Sequence, residues 1–199
     1  PIRGMYRSAV TGKFAHEETE EDLKKEMGSV ASALMQLLRV KPNFVLLHGF
    51  HGTPKGIFFP WLKKELESRG YKVQIPTLPN PEKPTEEEQV GHALRECAFD
   101  ENTILFCHSL GAVVALKVAE RLKTNIRGLV LAGGFSSPKF KDKPRPFHDT
   151  FNWNFDFEKI KSTAGFIKIL SDKNDHAVRQ EQGKFLYKKE YNQVIWTAK

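Results

Sequence analysis

Ser109 lies in Cys107-His108-Ser109-Leu110-Gly111, a serine with a small residue two positions before it and a glycine two after. Ile104, Leu105 and Phe106 arrive just ahead in an unbroken apolar run, as a buried parallel strand supplies them. From Ala112 to Leu122 the pattern turns helical, with Val113, Val114, Leu116, Val118 and Ala119 apolar. A strand that becomes a helix across small-x-Ser-x-Gly is a nucleophile elbow. The turn is tight enough that the flanking residues must be small. It lifts the Ser109 hydroxyl to the top of a sheet, at a helix N-terminus that favours a developing negative charge. Cys107 stands where glycine is commoner, a mild departure because cysteine is compact. The competing reading is an ordinary strand-to-helix turn in which Ser109 is only the helix N-cap. The strand before it and the helix after it favour the nucleophile.

Two further loops carry candidate chemistry. His48-Gly49-Phe50-His51-Gly52-Thr53-Pro54 follows the short apolar run Asn43 to Leu47. Its glycines let the backbone approach another atom closely, so a main-chain N–H near Phe50 can face a carbonyl oxygen. A plain glycine turn is the alternative. Two histidines without a nearby Asp, Glu or Cys make a poor metal site, and none is expected. Ser171 to Val178 is dense in acids, with Asp172, Asp175 and His176. Ser109, the 48–52 loop and the 172–175 loop all follow expected strands, so all three fall on the carboxyl edge of one sheet, where such folds bind ligands.

The elements that must position these residues alternate. A helix starts near Trp61 and stops at Gly70, and a strand spans Tyr71 to Pro76. The proline-rich loop Pro76 to Pro84 suits neither helix nor central strand. Thr85 caps a helix running to about Ala98, with Glu86, Glu87 and Glu88 in its first turn. Strands are expected at Ile126 to Ala132, Gly165 to Leu170 and Asn192 to Thr197, and helices at Asp156 to Ile160 and Arg179 to Lys189. Ser136 to Thr150 is a long polar loop and a candidate lid. Strand–helix alternation predicts a three-layer α/β/α domain with a mostly parallel sheet of about six strands over residues 42–199. Residues 1–41 stand apart as an arm and an amphipathic helix, in which Leu23, Met27, Val30, Leu34 and Leu37 form a stripe. Packing onto the main domain, or a homodimer contact, would cover that stripe.

With 31 Lys and Arg against 24 Asp and Glu, the net charge is +7, but the lysines are spread along the chain. That pattern reads as a solvated surface, compatible with anionic ligands. Basic residues without interleaved aromatics argue against specific nucleic-acid binding. There is no Gly-rich phosphate loop, and no apolar run approaches a membrane span, so no membrane partner is expected. Cys97 and Cys107 lie in unlike contexts, which argues for a reducing, cytoplasmic setting rather than a disulfide framework.

Phe44 to Gly52 with Pro60-Trp61-Leu62, Leu78-Pro79-Asn80-Pro81, His108-Ser109-Leu110-Gly111, Phe155-Asp156-Phe157-Glu158-Lys159-Ile160 and Ser171-Asp172-Lys173-Asn174-Asp175 together resemble one family. It is the small serine hydrolase family of the α/β-hydrolase superfamily, which includes retinoblastoma-binding protein 9 and the bacterial YdeN-like esterases. The resemblance runs from about Asn43 onward. It implies a compact α/β-hydrolase fold that cleaves small ester or amide substrates through an acyl-enzyme, without a cofactor. It implies Ser109 as nucleophile, the Phe50 and Leu110 N–H groups as oxyanion hole and Asp175 as triad acid, with Asp172 its rival. The family's catalytic histidine follows the final strand. No such residue precedes Lys199, so the base is expected beyond it, and His48, His108 and His176 are at most supporting. The alternative is a catalytically impaired hydrolase fold serving as a binding or scaffold module.

Overall fold

The structure, a computed structural model, describes residues 19–22, 40–136, 153–171, 178 and 193–195. The chain divides into two compact units, Pro1–Lys41 and Pro42–Lys199. In the first, Thr19 and Asp22 cap a helix start reciprocally. The Thr19 N–H donates to Asp22 Oδ2 at 2.9 Å, and the Asp22 N–H to Thr19 Oγ1 at 3.2 Å. The stripe from Leu23 to Leu38, and any dimer contact made through it, lies outside the described residues.

The second unit is built on a six-stranded sheet of β1 (Asn43–Leu47), β2 (Lys72–Gln74), β3 (Thr103–His108), β4 (Gly128–Ala132), β5 (Ile167–Ser171) and β6 (Gln193–Ile195). The strands lie in the order β2-β1-β3-β4-β5-β6, and every neighbouring pair is parallel. Four helices connect them: α1 (Phe59–Ser68), α2 (Glu86–Glu96), α3 (Leu110–Arg121) and α4 (Phe157–Thr163). This is the three-layer α/β fold that the alternation predicts. After β1 the chain moves outward to β2, then returns to β3 on the other side. The strand order thus reverses between β1 and β3, the position at whose carboxyl ends such sheets bind ligands.

The core forms because parallel strands covered on both faces have no polar side to offer. Val45, Leu47, Leu105 and Cys107 join one buried cluster with Val113, Val114 and Leu116 of α3. Leu46 alternates with Val45 and Leu47, so it points to the opposite face, and it is fully buried there. On β3 burial alternates, and half-buried Phe106 meets Phe58 edge-on at 6.0 Å. Apolar helix α3 is buried almost throughout, including Lys117, which is 6% exposed. Its ammonium group reaches Glu120 at 2.7 Å and the Asn154 carbonyl at 2.6 Å, fastening the segment that leads into α4 to the back of α3.

Several boundaries differ from the sequence expectation for local reasons. Helix α1 starts at Phe59, two residues earlier, because Pro60 fits the first helical turn, where its missing N–H has no intrahelical partner to lose. It ends in a Schellman motif. Gly70, at φ 79°, donates to the Glu67 carbonyl at 2.9 Å and Tyr71 to that of Leu66 at 3.1 Å. Strand β2 is only three residues long, and Ile126 precedes β4 as an isolated bridge to Ala164. The expected lid and the 179–189 helix lie outside the described residues.

Candidate active site

Strand register assembles the site. Leu47 pairs with Cys107, so the residues that follow, His48 and His108, leave the sheet side by side. The next positions almost touch: a Cβ built on Gly49 would sit 3.0 Å from Ser109 Cβ. Ser109 has φ 54° and ψ −121°, a conformation L-residues rarely hold. Its N–H donates to the Ala132 carbonyl at 2.9 Å, extending the β3–β4 pairing by one residue. Ser109 occupies the N-cap position of α3, but its side chain makes no capping hydrogen bond. The strain therefore holds the hydroxyl away from the helix amides, and Ser109 is half-buried.

Gly111 is where the elbow meets β1. A Cβ there would lie 2.3 Å from the Leu47 carbonyl oxygen and 2.8 Å from that of His48, both backbone atoms that cannot swing aside. Gly111→Ala is expected to cost about 3 kcal/mol or more, the upper end for overpacked cores, and to lower Tm by on the order of 10 °C in thermal denaturation followed by circular dichroism. Gly91→Ala, within α2, is the control. Its Cβ meets only the far ends of two flexible side chains, the Arg95 guanidinium at 3.2 Å and Glu87 Oε1 at 4.0 Å, and the helix gains from the better helix former.

The loop after β1 is held from two sides. Gly52 donates to the Gly49 carbonyl at 3.0 Å, closing a turn around Phe50 and His51, with His51 at φ 53°. The His51 N–H reaches the Pro81 carbonyl at 3.2 Å. His48 is 1% exposed, and its Nε2 accepts the Leu78 N–H at 3.1 Å. The ring proton must then sit on Nδ1, which faces the Gly49 carbonyl at 3.2 Å. His48 thus bridges the β1 loop to the proline-rich loop with both nitrogens engaged, and neither is free to take a proton from Ser109. Gln89, fully buried on α2, donates to the Pro79 carbonyl at 2.8 Å and fixes that loop from behind. Neither brace stands out in the sequence; the only sign was a loop too rich in proline to be a regular element.

Burial holds the His48 pKa below its ordinary 6.5, against the opposing pull of the Gly49 carbonyl. The folded state therefore binds this proton less readily than the unfolded chain. The stability from neutral His48 is complete above about pH 6.5 and is lost as pH falls toward the folded pKa. Denaturant titrations of wild type should show this decline. His48→Phe should lack this contribution to it and should be less stable at neutral pH by about 1–3 kcal/mol, because the buried Leu78 N–H loses its acceptor.

Of the other candidates, Leu110 is buried as the first residue of α3, where a helix N–H lacks an intrahelical acceptor. Phe50 packs its ring on the core margin and edge-on to His51 at 4.1 Å. His108 lies edge-on to Phe58 at 5.5 Å, a packing role beside the elbow. Cys107 is no rival nucleophile: burial pushes its thiol well above the ordinary range, and Sγ is directed at the Val130 carbonyl at 3.2 Å. Cys97, also free and buried, is pushed up to about 11. Among the described residues no cluster of metal-ligating side chains exists, and no helix is long and apolar enough to cross a membrane. Asp172, Asp175 and His176 lie outside the described residues.

Known proteins resemble this chain in sequence and in fold. The hydrolase YdeN of Bacillus subtilis (strain 168) is 30% identical over 136 residues, 67% of this chain and 70% of that protein. The crystal structure of the B. subtilis ydeN gene product superposes with a TM-score of 0.70 at 26% identity, covering 80% of this chain and 86% of that one. A pimeloyl-[acyl-carrier protein] methyl ester esterase of Pseudoalteromonas atlantica (strain T6c / ATCC BAA-1087) is 35% identical over 107 residues, which is 50% of this chain but only 39% of that enzyme. The profile of the serine hydrolase family matches residues 44–196. With its sheet, elbow and loops accounted for, the chain belongs to the serine hydrolase family, on an α/β-hydrolase fold.

Proposed function

We propose that this hydrolase cleaves small carboxylic esters or amides through an acyl-enzyme on Ser109. The observation that carries the reading is the strained Ser109 backbone whose hydroxyl caps nothing. A serine selected for capping would adopt an extended conformation and accept an amide N–H. Here the hydroxyl is held out at a helix N-terminus, beside the turn that contains Phe50. Ser109 Oγ attacks the carbonyl carbon, and its proton passes to a histidine base outside the described residues. The carbonyl oxygen becomes an oxyanion, which the Leu110 and Phe50 N–H groups receive. Collapse of this intermediate expels the alcohol or amine, which takes the proton back, and water then releases the acid. Asp175 orients the base, as the family resemblance implies. Ester chemistry is favoured by the named activity of the Pseudoalteromonas relative. Residues 42–199 carry this chemistry, residues 1–41 are an appendage, and the protein works in the cytoplasm without a cofactor.

The test is reaction of the full-length protein with a fluorophosphonate, which phosphonylates an activated serine. Labelling of wild type but not of Ser109→Ala is expected. An unlabelled wild type would leave the fold as a binding module.

A further inference from the structure

A second surface has features the hydrolytic reading does not use. Ile57 has φ 53° and is 71% exposed. A β-branched residue in the left-handed region is a true outlier, and here the strained side chain stands in water rather than in the core. Trp61, four residues on, is 65% exposed. Most of the surface of each is left in water. Lys64 follows Trp61 by three positions on α1, whereas Ile57 precedes the helix, and Pro60 and Lys64 are both exposed. Pro54, Lys55, Pro60, Lys63 and Lys64, together with the acidic Glu67, line one open groove. Lys63 pairs with Glu67, but among the described residues no carboxylate pairs with Lys55 or Lys64.

We infer that the Ile57–Trp61 face, flanked by Lys55 and Lys64, docks on an anionic phospholipid surface. Two protruding apolar side chains suit insertion among lipid headgroups, and a tryptophan settles at that boundary because its ring is apolar and its N–H is polar. Lysines at the rim complement anionic headgroups, and the chain's net charge of +7 acts in the same sense. Such peripheral contact needs no spanning helix. Phe58 connects this face to the elbow, since its ring lies against His108, the neighbour of Ser109. The inference does not depend on the catalytic reading, so vesicle binding is measured on Ser109→Ala as well as on wild type.

The probe is co-sedimentation with vesicles of phosphatidylcholine and phosphatidylserine, against pure phosphatidylcholine, at low and physiological salt. Wild type and Ser109→Ala should bind the anionic vesicles equally, and more weakly as salt rises. Trp61→Ala and the double variant Lys55→Glu, Lys64→Glu should each lower partition at least tenfold. Ile57→Asn should lower partition yet raise Tm, since asparagine tolerates the left-handed backbone, and a purely structural role cannot produce that pair of results. Absence of wild-type binding, or undiminished binding by Trp61→Ala, overturns the inference. So does a dimer in light scattering that Trp61→Ala splits, because the face then belongs to a second copy.

Discussion

Ser109→Ala should lose all fluorophosphonate labelling, and its ester turnover should fall about 10⁶-fold, the loss seen when a serine hydrolase is stripped of its nucleophile. Its thermal stability should barely change. The two readings of Ser109 predict opposite patterns, which makes the variant decisive. If the side chain capped α3, alanine would remove a hydrogen bond and cost about 0.5–2 kcal/mol, a fall in Tm of roughly 1–8 °C, with activity intact. The structure shows no such bond, and the φ of 54° is as awkward for alanine as for serine. The hydroxyl contributes little to the fold, so its deletion leaves the fold as stable as before. Activity and Tm measured on one preparation therefore separate the roles. Lost turnover at an unchanged Tm supports the nucleophile. A lowered Tm with retained turnover returns Ser109 to a capping role.

What the sequence revealed about this fold depends on the range of each interaction. Short-range chemistry was legible. Thr85 accepts the Glu88 N–H three residues on, and α1 ends where Gly70 donates to Glu67 and Tyr71 to Leu66. Gly111 could be read as obligatory because an elbow turn admits only a small residue, although only the structure identifies the Leu47 carbonyl as what it must clear. His48 could not be read. Its role rests on the Leu78 N–H, thirty residues away, and on a loop path that no local pattern encodes. Gln89 failed for the same reason, since a buried glutamine on an acidic helix looks like surface until the Pro79 carbonyl is placed beneath it. The strained Ile57 left no sign either, because neither propensity nor periodicity reports a positive φ at a β-branched residue. The sheet edge that gathers the candidate loops was legible, because strand–helix alternation alone requires parallel strands whose carboxyl ends share one side. The acid loop and the expected lid lie outside the described residues, so their roles rest on the resemblance and on mutagenesis.

The acid is the second large effect. Asp175→Asn should lower kcat by about 10⁴-fold, because an amide in place of the carboxylate leaves the catalytic imidazole in the wrong tautomer and its cation unsupported. Asp172→Asn should change kcat only a few-fold. The distance across the sheet is the ground for expecting this difference. Strand β5 ends at Ser171 and lies two strands from β3, with β4 between them. Two strand spacings are about 10 Å. An acid acting on a histidine poised above Ser109 must reach back across much of that gap. In sequence, Asp172 comes directly after Ser171, the last residue of the strand. Three more residues span at most about 10 Å, which would let Asp175 cover that gap, and Val178, three positions later, is buried in the core at 7% exposure. Fluorophosphonate labelling rates across the pH range provide the check. Asp175→Asn should label far more slowly at every pH, while Asp172→Asn should follow the wild-type profile. If the two variants exchange these behaviours, Asp172 is the acid, and the loop turns toward Ser109 as soon as it leaves β5.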